Sequence, residues 1–317
     1  MPDRLITALL LLAVAAVSPA RATERVLLRD YPALPGATLK IDTYLGCVDV
    51  RESPDNRIHV EIHEDPGTDE PAEADRILGA LKLDVTQDGA TVSIAARNPS
   101  ETGVHFVWQD RQKILLTYAV LVPRICNLDL ATNDGGISVD ASESMSGRVA
   151  VKARKGTVFL RWIDGSIKAS VDTGDIVVSR CTGAIDLTAY VGNIRVGTVG
   201  GYAELHTTNG DIDLQHALGG VKTLAEVGDV TVGLPDTFHH DSNISTNGGA
   251  ITVRLDPAAH CSVRASSIWG RVRTVLPFAV ESGGNGKKSL VGSLNGGGAQ
   301  LTLHADGGHV RIDAPRI

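Results

Sequence analysis

At 317 residues the chain can form one long or two ordinary domains around a substantial core. Aromatic residues make up only 4% of it against 34 glycines, which disfavours a bulky helical core and suits many short strands joined by tight turns. The net charge of -7 is spread evenly and argues against nucleic acid or an anionic membrane surface as the principal partner.

Residues 1–22 read as a signal peptide. Arg4 gives a weakly positive start, Leu5 to Val17 is a short apolar run, and Ala20-Arg21-Ala22 has the form of an A-x-A cleavage site. That run falls short of the ~20 residues a membrane span needs. The absence of a cysteine just after Ala22 argues against a lipoprotein anchor, and no later stretch is long and apolar enough to cross a bilayer. The mature chain is therefore expected to be exported and soluble, in the periplasm or at the cell surface.

Residues 23–130 are expected to form an amino-terminal β-rich cap leading into a repeat region at residues 131–280. Thr38–Asp42, Val48–Val50, Ile58–Ile62, Leu83–Val85, Thr91–Ala95 and Ile114–Val122 have strand character. Pro71–Leu81 places Ala74, Ile77, Leu78 and Leu81 on one side and reads as the one short helix. Gly46-Cys47-Val48-Asp49-Val50 already resembles the phrase that dominates the repeats.

That phrase is glycine, any residue, an aliphatic residue, any residue, then usually another aliphatic. It recurs every nine residues at Gly156, Gly165, Gly174, Gly183, Gly192, Gly201, Gly210, Gly219 and Gly228. Its strongest members return every eighteen residues, so one coil is expected to hold two nine-residue halves. Val158/Leu160, Ile176/Val178, Ile194/Val196, Ile212/Leu214 and Val230/Val232 are i, i+2 pairs facing one side of a strand. Stacked coils would bring these pairs into columns ~4.8 Å apart and bury a continuous aliphatic core. The fold class is thus all-β, a β-solenoid of coils of about eighteen residues. Ala141–Met145 and Phe238–Asp241 read as insertions bulging from the turns, and Gly249 to Gly270 as one more, longer step of the repeat. Residues 281–317 are expected to be a glycine-rich loop, Glu281–Ala299, followed by closing strands at Gln300–His304 and His309–Ile312.

Four cysteines sit at irregular spacing with no CxxC pair, so neither a metal nor a redox motif is present. Cys181 shares a column with Ile163, Val199 and Ala217 and reads as a buried thiol. Cys126 and Cys261 fall at opposite ends of the stack, too far apart for a disulfide. Cys47 could reach Cys126, and free thiols are the default expectation.

With these residues laid out, a family resemblance is visible. The opening "GATLKIDTYLGCVDV", the strand "LTYAVLVP", the serial "TGDIVV", "VGNIRV" and "NGDIDL", and the closing "LNGGGAQLTLHADGGHVRI" resemble the putative-adhesin β-strand-repeat proteins of bacterial envelopes. The resemblance covers nearly all of the mature chain. It implies a right-handed, single-stranded β-helix in an exported protein, and it carries over no catalytic or binding residues.

The sharpest candidate for chemistry is the polar column beside the corner glycines: Thr157, Asp175, Asn193, Asp211 and Asp229. Asp211 and Asp229 would lie about one coil rise (~5 Å) apart, close to the carboxylate spacing of retaining glycosidases. The competing explanation is that Asp and Asn favour glycine corners and stack there as turn residues. Calcium-binding β-rolls also repeat every nine residues, but the second glycine and the aspartate they require are missing from nearly every copy. His59, Glu61 and His63 share a strand face, and His239, His240 and Asp241 share an insertion. Neither set shows closed three-ligand geometry for zinc. No catalytic residues, metal or cofactor are therefore assigned. Phe159 and Trp162 are a possible contact surface, outward on an early coil, unless the amino-terminal cap covers them.

The function expected is that of a non-enzymatic envelope protein: a rigid scaffold for adhesion or binding to an envelope or surface ligand, glycan or protein. Its rivals are a polysaccharide-active β-helix enzyme using the acidic ladder, and a structural or sensory periplasmic module that binds another protein through its ends. Export itself is directly testable. Mass spectrometry of the natively expressed protein should find a soluble species beginning near Thr23, and an intact amino terminus in the membrane fraction would overturn the assignment.

Overall fold

The computed structural model describes residues 23–97 and 114–315, so the expected signal peptide lies outside the described residues. These residues form an all-β structure of two long sheets, each of fourteen strands, with one helix. Through the body the chain alternates between the sheets. Val158–Asp164 lies in the first, Ile167–Thr173 in the second, and Ile176–Cys181 back in the first. Neighbouring strands run parallel, and each residue pairs with the one eighteen positions on. Val158 pairs with Ile176, which pairs with Ile194, then Ile212 and Val230. Ile167, Ile185, Ala203 and Val221 make the matching column in the second sheet.

The aliphatic i, i+2 pairs explain this register. Val158, Leu160, Ile176, Val178, Ile194 and Val196 are all buried, and the residues between them face outward. A shift of one residue would turn each pair to solvent and leave its stacked neighbours exposed, so the hydrophobic column fixes the pairing. In the first sheet each strand bends after its second buried residue. Arg161 and Trp162 both point outward before Ile163 returns to the core, as do Ser179 and Arg180 before Cys181.

The corners set the closeness of the coils. A Cβ on Gly192 would fall well under 3.0 Å from the carbonyl oxygen of Gly174; on Gly210 it would meet Gly192, and on Gly228, Gly210. No side-chain-bearing residue fits there without pushing two coils apart. Insertions are not idle bulges. Met145 and Phe238 are both fully buried, and Met145–Ser146 forms a short strand pairing with Ile163 and Asp164. Their apolar side chains give each insertion an anchor in the core, which corrects the picture of loops carried outside it.

The ends depart from sequence order. The first coil, Thr38–Thr43 and Cys47–Glu52, lies inside the stack. Thr38–Thr43 pairs with Thr91–Arg97 on one side and Asn127–Asp134 on the other. Cys47–Glu52 is held likewise between Leu115–Val122 and Ile137–Asp140. The last coil is inserted in the same way. Ala299–Ala305 sits between Ser242–Thr246 and Cys261–Ser267, and Val310–Asp313 between Ile251–Leu255 and Val272–Thr274. Gly270 therefore stacks on Gly308, and Gly308 on Gly249. The step from Gly249 to Gly270 is not a direct stacking of neighbours, as the repeat alone suggested.

Antiparallel strands cover the near ends of both sheets and the far end of the second, while the first sheet ends on the short parallel strand Val272–Thr274. Arg25–Pro32, not anticipated from the sequence, pairs with Arg57–Asp65, which pairs with Leu115–Val122. Lys82–Asp88 covers Thr91–Arg97. At the far end the expected glycine-rich loop contains two strands: Ser289–Leu294 lies antiparallel along Cys261–Ser267, and Ala279–Gly283 lies antiparallel along Ser289–Leu294. Covering terminal coils this way removes open parallel edges that would otherwise template pairing. The helix, Pro71–Ala80, buries Ala74, Ile77 and Leu78, and Leu81 follows as its C-cap.

Two glycines of opposite character test this account in a denaturant titration. Gly79, in the helix with open space around its Cα, should gain about 0.5–1 kcal/mol as Gly79→Ala. Gly192→Ala should lose ~2 kcal/mol or more, and Ile194→Lys several kcal/mol. A neutral Gly192→Ala would show that the corners are not the limit on coil spacing.

Candidate functional site

The polar column beside the glycine corners forms a continuous ladder, built from side chain to backbone. Asp175 Oδ1 accepts from the Asn193 backbone N–H at 2.8 Å, and Asn193 Oδ1 accepts from the Asp211 N–H at 2.8 Å. Asp211 Oδ1 accepts from the Asp229 N–H at 2.8 Å, and Asp229 Oδ1 from the Ala250 N–H at 2.8 Å. Each side chain thus satisfies the corner amide of the next coil, a group left over where the strand ladder pauses at the turn. Asp175 is committed further: its Oδ2 pairs with Arg195 Nη1 at 3.0 Å. The structure brings Asp175, Asp211 and Asp229 into one line, and that line already has a structural task. Catalysis by the Asp211–Asp229 pair would require carboxylates free to exchange protons with a substrate. One oxygen of each is held by the backbone.

Phe159 and Trp162 lie on the outer face of the first sheet, Phe159 partly buried and Trp162 42% exposed. The amino-terminal strands do not cover the tryptophan. Its register partner is Arg180, whose guanidinium carbon stands 6.0 Å from the ring centroid, a cation–π contact between successive coils. Beside the pair opens a cleft of about 390 Å³, in which Arg124 is held by Glu143 at 2.8 Å and by Ser144 at 3.1 Å. Eighteen-residue spacing alone places Arg180 next to Trp162. The cleft depends on residues near 124 and 143 and has no such signal in the sequence.

The remaining candidates take structural places. All four cysteines are free. Cys47 is exposed while Cys126, Cys181 and Cys261 are buried. Burial pushes each of these three thiols up to about 11, which leaves them protonated and unreactive. His59 is clamped between Asp30 at 2.6 Å and Asp55 at 2.9 Å, and His63 between Glu24 and Glu61, both at 2.7 Å. Hydrogen bonding raises both imidazoles above the ordinary value, chiefly from Asp55 for His59 and from Glu24 for His63. These clamps pin the edge strand Arg25–Pro32 to its neighbour. Among the described residues no group of three or more His, Cys, Asp or Glu is arranged to hold a metal ion.

The ladder's role separates two substitutions at one position. Asp211→Ala removes the acceptor for the Asp229 amide and should destabilise by about 1–2 kcal/mol, whereas Asp211→Asn keeps it and should change stability by less than ~0.5 kcal/mol. Equal losses in thermal or chemical unfolding would mean that charge, not the amide bond, is what the ladder supplies.

Comparison with solved structures finds similar proteins of very low identity. A putative adhesin from Bacteroides fragilis is 13% identical, with 91% of this chain and 97% of that one covered at a TM-score of 0.46. A putative adhesin from Parabacteroides distasonis is 12% identical, covering 90% and 97% at 0.45. A putative lipid binding protein from the same species is 11% identical, covering 90% and 96% at 0.35. No curated protein matches the sequence. Residues 38–313, from the first inserted coil to the last, match the family described as Toastrack DUF4097, and the chain belongs to that family.

Proposed function

We propose that the protein is an exported, non-enzymatic scaffold of the bacterial envelope that binds a ligand through the outer face of its first sheet. Its coils are read as right-handed, the hand that parallel crossover connections adopt. The observation that carries the reading is Trp162. It is large, 42% exposed, ordered by Arg180 from the next coil, and set beside a cleft, although the repeat itself requires no aromatic there. An indole fixed in this way presents a flat apolar face at low entropic cost, suited to a sugar ring or an apolar protein surface. The acidic ladder, the best catalytic candidate, is better explained by its bonds to corner amides.

The test is the double substitution Phe159→Ala with Trp162→Ala, scored for binding to envelope fractions and a glycan panel and for melting temperature. Binding should be lost while Tm moves by no more than a few degrees. Severe destabilisation with binding intact in the folded fraction would overturn the contact surface. Release of reducing ends by the wild-type protein would replace the scaffold reading with a polysaccharide-active enzyme.

A further inference from the structure

A concavity of about 680 Å³ lies on the same sheet face but several coils away from Trp162. It forms where the repeat is broken in three places at once. Gly233 leaves the strand floor bare, Leu234 and Pro235 begin the insertion anchored by Phe238, and Pro315 follows the last coil as an opposite wall. A second hollow of about 320 Å³ adjoins it, and Thr231 and Arg254 line both. The groove therefore runs along the solenoid axis across successive coils. Strand pairing lays its floor out as a grid. Asp213, Thr231, Thr252 and Arg311 stand in one column, and Gly233, Arg254 and Asp313 in the next.

Most charges in this groove are already matched within the protein. Arg195 pairs with Asp175 at 3.0 Å and Arg311 with Asp313 at 3.5 Å. Asp211 and Asp229 hold corner amides, and Asp256 Oδ1 accepts from the Ala258 N–H at 2.8 Å. Two groups are left over. The Arg254 guanidinium makes no hydrogen bond or ion pair among the described residues, and Asp213 Oδ1 is buried with no hydrogen-bond partner. One is a donor and the other an acceptor, and Thr231, whose hydroxyl can be either, follows Asp213 in its column and lines both hollows with Arg254.

The charge balance selects the ligand class. The joined hollows carry three arginines and five aspartates, so an anion drawn to Arg254 meets a surplus of carboxylates and a simple cation meets Arg254. A neutral ligand rich in hydroxyl groups satisfies both, because each hydroxyl donates and accepts. The apolar wall of Pro235 and Pro315 suits the C–H face of such a ligand. We propose that this groove is a saccharide-binding site, in which Arg254 donates to, and Asp213 accepts from, the hydroxyls of a neutral oligosaccharide lying along the solenoid axis.

This site rests on the binding reading proposed above, and it adds a second contact on the same sheet face, several coils from Trp162. The mature protein and its Arg254→Ala, Asp213→Ala and Trp162→Ala variants would be titrated by calorimetry with a panel of neutral oligosaccharides and matched uronate-containing ones, with Tm recorded for each. The expected result is binding of a neutral oligosaccharide weakened at least tenfold in Arg254→Ala and in Asp213→Ala. Arg254→Lys, which keeps the charge and loses the planar donor set, serves if the alanine variant proves unstable, and should weaken binding in the same direction. Loss of binding in Trp162→Ala alone would overturn the groove and leave the contact surface at Trp162 standing. Preference for the uronate ligands would overturn the charge argument. Absence of any saccharide binding by the wild-type protein would overturn the inference, and retained capture of envelope fractions would then show that the wider binding reading survives it.

Discussion

At each corner of the coil, the carbonyl oxygen of one glycine occupies the space where the next glycine's Cβ would stand. This contact runs from Gly46 through Gly135, Gly156, Gly174, Gly192, Gly210, Gly228 and Gly249 to Gly308 and Gly270, following the stack and not the sequence. It fixes the coil spacing at the β-sheet distance on the side where the chain turns. Both sheets can then keep their parallel hydrogen bonds in one register. The aliphatic columns and the aspartate ladder depend on it, because an opening at the corner would pull apart the side chains that meet across it.

The ladder shows how much of the polar surface such a fold consumes. A corner that packs this tightly leaves an amide without a strand partner, and an Asp or Asn one residue after the glycine supplies the missing acceptor. The residues that look most like an active site in the sequence are therefore the ones the architecture most needs. Function is left to positions that the repeat does not specify. These are the outward residues at the bend of the first sheet, where Trp162 and Arg180 meet, and the places where the chain leaves the repeat.

The body of the solenoid was legible because its contacts are nearly periodic. A residue and its stacked neighbour stand eighteen apart, so Ile176, Ile194 and Ile212 announce their column without any structure, and Cys181 declares its burial by sharing one. Legibility failed where contact and sequence spacing part. Nothing local tells that Gly270 meets Gly308 and not Gly249, that Phe238 turns inward from an insertion, or that Ala279–Gly283 pairs as a strand inside a glycine-rich stretch. The direction of the aspartate side chains was hidden for another reason. Spacing gives the column, whereas only the rotamer shows whether its carboxylates face solvent or the next coil's amide. The groove beside Arg254 was likewise invisible, because residues near 215, 233, 254 and 311 converge only through pairing across four coils.

The two inserted coils bear on how such a molecule can change in length over generations. Thr38–Thr43 and Ala299–Ala305 are each paired on both sides, and antiparallel strands lie beyond them. A gene duplication at either terminus would have to force new strands into positions already filled. A duplication in frame anywhere between Gly156 and Gly228 meets no such obstacle. Eighteen added residues would stack glycine on glycine and leave both clasps untouched. Lineages descended from this architecture should thus lengthen or shorten by whole coils from the middle, while their ends stay constant in size.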